Sequence, residues 1–432
     1  MAGDGRDDMQ PVDVAITHAA ELLTCRVAEG SARGADLAKL DVIKDGAVAI
    51  RDGVIVDVGP TEAIARRYRP RRTINARGRL VSPGFVDAHT HLVHAGSRHD
   101  DWEDRVRGRP SKGIGGGIRR TIAATRAATS ADLRARALGD LDVMLRHGTT
   151  TVEAKSGYGL DRETELRLLS ITAGLEHPVE VVTTYLGAHT VPPEYLDDRA
   201  GYVRLVRETL EPARQYAEYC DLACDPVSFT AEECAPLAEA AARLGFKLRL
   251  HADQTADAGG TALAVGLGAS SVDHLDAASA GAISLLGAAD TVGVVFPTVT
   301  LHMLEDPPAG SGGSWAAWAR RLVESGATLA LSTDYNPGSS PCPSMQAVMQ
   351  AAARLYRLSY AEIWHMCTIN AAAALDRTDR VGSLAVGKRA NVIIWQVPEH
   401  GMVVHRFGRN HVDTVLVDGR TAVAGAAVDT RE

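Results

Sequence analysis

The stretch Leu80-Val81-Ser82-Pro83-Gly84-Phe85-Val86-Asp87-Ala88-His89-Thr90-His91-Leu92 decides how this chain is read. A short apolar run punctuated by Pro83-Gly84 predicts a turn feeding a buried strand. Side chains on a strand alternate faces, so His89 and His91, two residues apart, point the same way. At a strand's end the two imidazoles can converge on one ion, a pairing that suits a transition metal. Alone, an H-x-H pair is equally two histidines that sit close together. The rest of the chain has to decide.

Short apolar runs recur at about 81–86, 149–154, 181–187, 219–224, 247–251, 271–274, 292–296 and 328–333. Longer segments separate them, several Ala/Leu/Arg-rich with helical periodicity, such as Ser130 to His147 and Ala231 to Leu244. Repeated strand–helix units mean an α/β fold with a parallel sheet, and eight of them fit a (β/α)8 TIM barrel. The two ends read differently. Ala47 to Gly59 holds two apolar runs joined by Asp52-Gly53, a hairpin signal, and Ala390 to Trp395 and Val412 to Arg420 are strand-like. We therefore expect a small β-sandwich domain built from both chain termini (1–78 and 379–432) around a barrel over 79–378.

In such barrels the chemistry sits at the C-terminal ends of the strands. Polar residues cluster there: His89 and His91 after strand one, Glu153 to Tyr158 after strand two, and His189 after strand three. His251 to Gln254 follow strand five, Asp273-His274 strand six, and Ser332 to Ser340 strand eight. A single histidine after an apolar run is usually structural, and an Asp before Asn-Pro-Gly is usually a turn former. Strand ends this rich in metal-capable groups are not so easily dismissed. His89, His91, His251 and Asp334 offer three imidazoles and one carboxylate, with water completing the shell. Water acidified by Zn²⁺ or a similar ion is a hydroxide source at neutral pH. Asp334 can accept its proton, His274 can hold or relay it, and His189 could donate to the oxygen that gains charge. This describes metal-assisted hydrolysis of a C–N bond.

On these residues the chain resembles the amidohydrolase superfamily, and within it the imidazolonepropionase family. The most specific motifs are Ser156-Gly157-Tyr158-Gly159-Leu160 and Thr333-Asp334-Tyr335-Asn336-Pro337-Gly338-Ser339-Ser340-Pro341. Other matching stretches span Val81 to about Asn410. The resemblance implies ring opening of 4-imidazolone-5-propanoate to N-formimidoyl-L-glutamate in histidine degradation. It implies one divalent or trivalent metal ion per subunit, Zn²⁺ or Fe, on His89, His91, His251 and Asp334. It places Arg98, Tyr158, His189, Gln254, Asn336, Gly338 and Ser339 around the substrate, and Asp334, His274, His189 and Gln254 at the catalytic step. The physics agrees in part: a propanoate wants a bidentate cation such as Arg98, Tyr158 and Asn336 offer directional hydrogen bonds, and Gly338 admits close backbone approach. Gln254 stands where some members carry Glu, and an amide cannot act as a base. Lys155 falls on strand two rather than strand four, where binuclear relatives use a modified lysine, so one metal is expected with Lys155 structural or supporting.

Two alternatives stay open: a deaminase or cyclic-amide hydrolase acting on a nucleobase-like ring, and a catalytically silent barrel serving as a binding subunit. A net charge of -8 gives no support to nucleic-acid or anionic-membrane binding, and no apolar stretch of membrane-spanning length occurs. Met1 to Gln10 is acidic and polar, unlike a secretory signal. The six cysteines lack a disulfide rhythm and read as buried free thiols. A cytoplasmic enzyme of a small molecule is expected, as a homodimer by family habit. Gly382 to Lys388 mimics a phosphate loop but lacks the Ser/Thr and the helix. Gly113 to Gly117 is read as a mobile lid.

Overall fold

The computed structural model describes residues 9–109, 114–308, 311–425 and 428–431. Its centre is a parallel eight-stranded sheet in strict chain order: Phe85–Asp87, Thr149–Lys155, Glu180–Ala188, Tyr219–Cys224, Lys247–Ala252, Ser271–His274, Val292–Val295 and Leu329–Leu331. The seam between the first and last strands closes just beyond their ends. Thr90 and Tyr335 form a parallel bridge, and the His91 N–H donates to the Tyr335 carbonyl at 2.8 Å. Asp87 stitches the same seam, accepting from the Thr333 N–H at 3.0 Å, the Thr333 hydroxyl at 2.6 Å and the Ser332 hydroxyl. The TIM-barrel expectation holds.

The outer helices form where the periodicity placed them. Ser130–Arg146 is N-capped by the Thr129 hydroxyl and buries Leu133, Ala137, Leu141 and Met144, a stripe of three- and four-residue spacings. Ala231–Arg243 opens on a capping box between Thr230 and Glu233. The Gly113 to Gly117 expectation fares differently. Gly113 lies outside the described residues, and from Ile114 the chain is a helix, Ile114–Ala127, not a loop.

The terminal strands form one mixed nine-stranded sheet. Its longest strand, Gln10–Leu23, carries a bulge between Ile16 and Ala19. Its first half pairs with Tyr68–Asn75 and its second half with Leu80–Pro83, so one hydrogen-bonded sheet wraps its own core of Ile16, Leu22, Val48, Ile74, Val81 and Leu416. Both expected Asp-Gly turns are present, with Asp52 and Gly53 at φ 51° and 77° and Asp418 and Gly419 at 49° and 70°.

One boundary needs correction. The strand expected over 81–86 is two strands in two sheets, because Leu80–Pro83 also pairs with Val392–Trp395 and the barrel starts only at Phe85. A division at residue 78/79 therefore cuts the terminal sheet short by one strand. Gly84 makes the crossing possible: a Cβ there would lie 2.3 Å from the Thr150 hydroxyl oxygen. Its N–H donates to the Asn391 carbonyl at 2.9 Å.

Where the sheets meet, Phe85, Trp364 and Trp395 pack with ring centroids 5.6–5.7 Å apart, and the Trp395 indole N–H donates to Ser82 at 2.8 Å. The cysteines are free, five of them buried. Among the described residues no helix is long and apolar enough to cross a membrane. Trp395 is fully buried at this joint, so Trp395→Ala should lower stability by about 3–5 kcal/mol. The shift in urea midpoint measures it, and a change under about 1 kcal/mol would mean the joint adds little cohesion.

Candidate active site

The parallel strands deliver their C-terminal ends to one rim, and the predicted ligands meet there. His89, His91 and His251 bring ring nitrogens within 4.8 Å of one another, all buried. Asp334 places Oδ1 3.4 Å from Nε2 of both His89 and His91. Neither His89 Nε2 nor Asp334 Oδ1 has a hydrogen-bond partner, although both are buried. Orphaned polar atoms in a dry interior are costly, and a shared cation is the partner this nitrogen–oxygen set fits. Burial holds the His91 imidazole neutral, down to about 4. Burial also opposes ionisation of Asp334, but the two adjacent imidazoles outweigh it and keep the carboxyl well below its usual range. Asp334 and His274 adopt φ of 49° and 86°, left-handed backbone that non-glycine residues rarely take. Such strain concentrates at functional sites.

Beneath the imidazoles lies a layer of charge that sequence reading largely missed. His89 Nδ1 sits 2.6 Å from Asp273 and His251 Nδ1 3.0 Å from Asp221. Each histidine thus turns its other nitrogen toward the centre, as ligand histidines do when a carboxylate holds their far side. Lys155 lies 2.9 Å from Glu153, 2.8 Å from Asp221 and 3.8 Å from Asp273, and Arg249 lies 3.3 Å from Asp273; all five residues are fully buried. Lys155 is therefore a supporting cation, as expected. The available signal was a charged residue inside an apolar strand and on the ligand's face: Arg249 is two residues before His251.

The substrate-side residues surround this centre. His189 stacks on His91 at 5.0 Å, and Tyr158 stands 5.4 Å from His91 and 5.5 Å from His189. His274 lies 5.2 Å from His251. His189 Nδ1 is 2.9 Å from the Gly157 carbonyl, so that nitrogen carries the proton. Burial, then His91 and His251, keep the ring neutral, which makes Nε2 an acceptor rather than the donor expected from sequence. Burial raises Tyr158, so its phenol stays protonated. The Ser156–Leu160 loop is shaped by buried Glu165, which accepts the N–H groups of Gly157, Gly159 and Leu160. Gln254 lines a small cavity of about 50 Å³ with His189 and His251. Asn336 is different. Its amide nitrogen donates to the Asp334 carbonyl and the Ser339 hydroxyl, and its oxygen accepts from the N–H groups of Gly338 and Ser339. Its capacity is spent on its own loop, which it shapes for Gly338 and Ser339.

The Asp273–His89 contact generates two expectations. Asp273→Asn keeps an acceptor but loses the charge, and should weaken metal affinity by about 10–100-fold; isothermal titration with Zn²⁺ reads this. Burial and Lys155 depress His89, yet the contacts with Asp273 and Asp334 outweigh them and raise it above an ordinary imidazole. A metal at this ring therefore competes with its proton. Affinity should fall as pH drops through that raised value, and calorimetry in buffers of different ionisation heat should register proton release.

Residues 80–422 match the amidohydrolase family, and residues 46–69 an imidazolonepropionase-like composite domain of bacteria. The chain is 40% identical to the imidazolonepropionase of Chloroflexus aggregans over 432 residues, covering 96% of this chain and 99% of that one. It is 41% identical to the imidazolonepropionase of Geobacillus thermodenitrificans, covering 89% and 91%. In fold it is similar to an adenosine deaminase from Xanthomonas campestris solved with bound zinc, with a TM-score of 0.68 and 20% identity over 97% and 95% of the two chains. Escherichia coli guanine deaminase gives a TM-score of 0.67 at 17% identity, over 95% and 98%. The deaminases show the fold alone, whereas near-complete coverage at about 40% identity shows kinship: the chain belongs to the imidazolonepropionase family of amidohydrolases.

Proposed function

We propose that this protein hydrolyses 4-imidazolone-5-propanoate to N-formimidoyl-L-glutamate, using one Zn²⁺ or Fe ion per chain. The observation that carries the reading is the arginine fork of Arg98 beside a rim where His89, His91, His251 and Asp334 converge. A cation on those four residues supplies Lewis acidity and lowers the pKa of water. The chain's own groups do the rest. Asp334, kept ionised, accepts the proton of the attacking water, and neutral His274 receives it next. Water adds across the lactam: its oxygen joins the carbonyl carbon, the C–N bond breaks, and the proton goes to the departing ring nitrogen. Tyr158 donates to the substrate oxygen through its neutral phenol, and His189 accepts a ring N–H at Nε2. Gln254 orients the ring by hydrogen bonds and takes no proton. Ser339, whose hydroxyl lies 3.4 Å from Asp334 Oδ2, steadies that carboxylate. Arg98 holds the propanoate with its two terminal nitrogens.

The family resemblance also supports a homodimer, and the free cysteines fit a reducing cytoplasm.

Purified protein incubated with imidazolonepropionate should remove the ring absorbance. No turnover, with cytosine or guanine consumed instead, would transfer the assignment to a deaminase. Asp334→Ala should abolish activity and metal binding together, and near-normal rates would refute its role. Arg98→Ala should raise KM through lost interactions worth about 2–4 kcal/mol; an unchanged KM would remove Arg98 from the carboxylate.

A further inference from the structure

Arg98 stands at the N-cap of the helix His99–Val106, with its side chain 13% exposed. Its Nε donates to Asp101 Oδ2 at 3.1 Å, and Arg120 approaches the other carboxylate oxygen at 3.3 Å. Among the described residues its two terminal nitrogens have no hydrogen-bond partner. Two glycines from separate parts of the chain close on the guanidinium. A Cβ at Gly338 would lie 1.9 Å from Nη1 and 2.4 Å from Cζ. A Cβ at Gly117, on the helix Ile114–Ala127, would lie 2.5 Å from both Nε and Nη2, and 2.1 Å from Asp101 Oδ2. Separations below 3.0 Å force a shift, and here the atoms that must move are the side-chain ends of Arg98 and Asp101.

We propose that Gly117 determines specificity by completing a slot, with Gly338, in which the Asp101-tethered Arg98 is held in one conformation. A free arginine has many rotamers and loses that freedom on binding a carboxylate. Here it is already held, with its open end available and its distance from the metal rim set by the backbone. The slot thus favours substrates whose acid lies at one reach from the ring. The proposal rests on the reading that Arg98 binds the substrate carboxylate. Gly117 lies inside a helix and needs no left-handed backbone, so alanine there is compatible with the fold and favours the helix.

A double-mutant cycle tests it. Wild-type turnover of imidazolonepropionate is measured first, then kcat and KM of Gly117→Ala, Arg98→Ala and the double variant, each with a melting curve. Gly117→Ala should lower kcat/KM by about 10–100-fold, chiefly through KM, because a displacement of an ångström costs that much. With Arg98 already replaced by alanine, the same change should cost less than about twofold, since its effect runs through the guanidinium. Wild-type kcat/KM in Gly117→Ala, or an equal loss in the Arg98→Ala background, overturns the proposal and leaves the function standing. Absence of wild-type turnover overturns the function and the proposal together.

Discussion

Everything at the rim depends on closing one seam. Seven strand junctions of the barrel are parallel ladders, but the eighth is made beyond the strands by the Thr90–Tyr335 bridge and the Asp87 carboxylate. The segments that close it also carry His89, His91 and Asp334. Barrel closure and assembly of the metal-capable centre are therefore one event. Asp87 is fully buried, and burial raises its carboxyl against three hydrogen bonds from Ser332 and Thr333 that lower it. A carboxylate in that position is tolerable only with donors on both oxygens, which specifies the partner strand.

The same logic governs the layer below. Moving an unpaired ion into a protein interior costs several kcal/mol even after relaxation. Glu153, Lys155, Asp221, Arg249 and Asp273 sit where barrels normally place branched aliphatic side chains. Each is tolerated because its neighbours carry opposite charge at about hydrogen-bond distance. What the arrangement provides is orientation rather than cohesion. Asp221 and Asp273 fix which nitrogen of His251 and His89 faces the centre, and Lys155 keeps the two carboxylates from repelling one another. The aromatic joint of Phe85, Trp364 and Trp395 supplies the cohesion instead, holding the terminal sheet against the barrel.

Much of this was legible in the chain because it depends on period and on chemistry-bearing side chains. Strand runs near 149–154 and 219–224, the helices after Thr129 and Thr230, and the Asp-Gly turns are local decisions made by alternation, capping and backbone conformation. The convergence of His89, His91, His251 and Asp334 could be inferred because parallel strands place their ends on one rim. The joint at Pro83-Gly84 was not legible: the apolar run reads as one strand, and only the neighbours Asn391 and Thr150 show that it changes sheets. The same holds for Asn336, whose amide looks free in sequence and is consumed by its own loop, and for His189, whose acceptor character follows from the Gly157 carbonyl.

By itself, the sequence determined the barrel, the two-ended sheet and the identity of the groups at the rim, since periodicity and residue type are local properties of the chain. Only the tertiary structure decided which nitrogen of each histidine points inward, which carboxylates hold them, and how Arg98 is wedged between Gly117 and Gly338. Those are contacts between residues tens to hundreds of positions apart, set by strand register and close packing. No local pattern encodes such contacts.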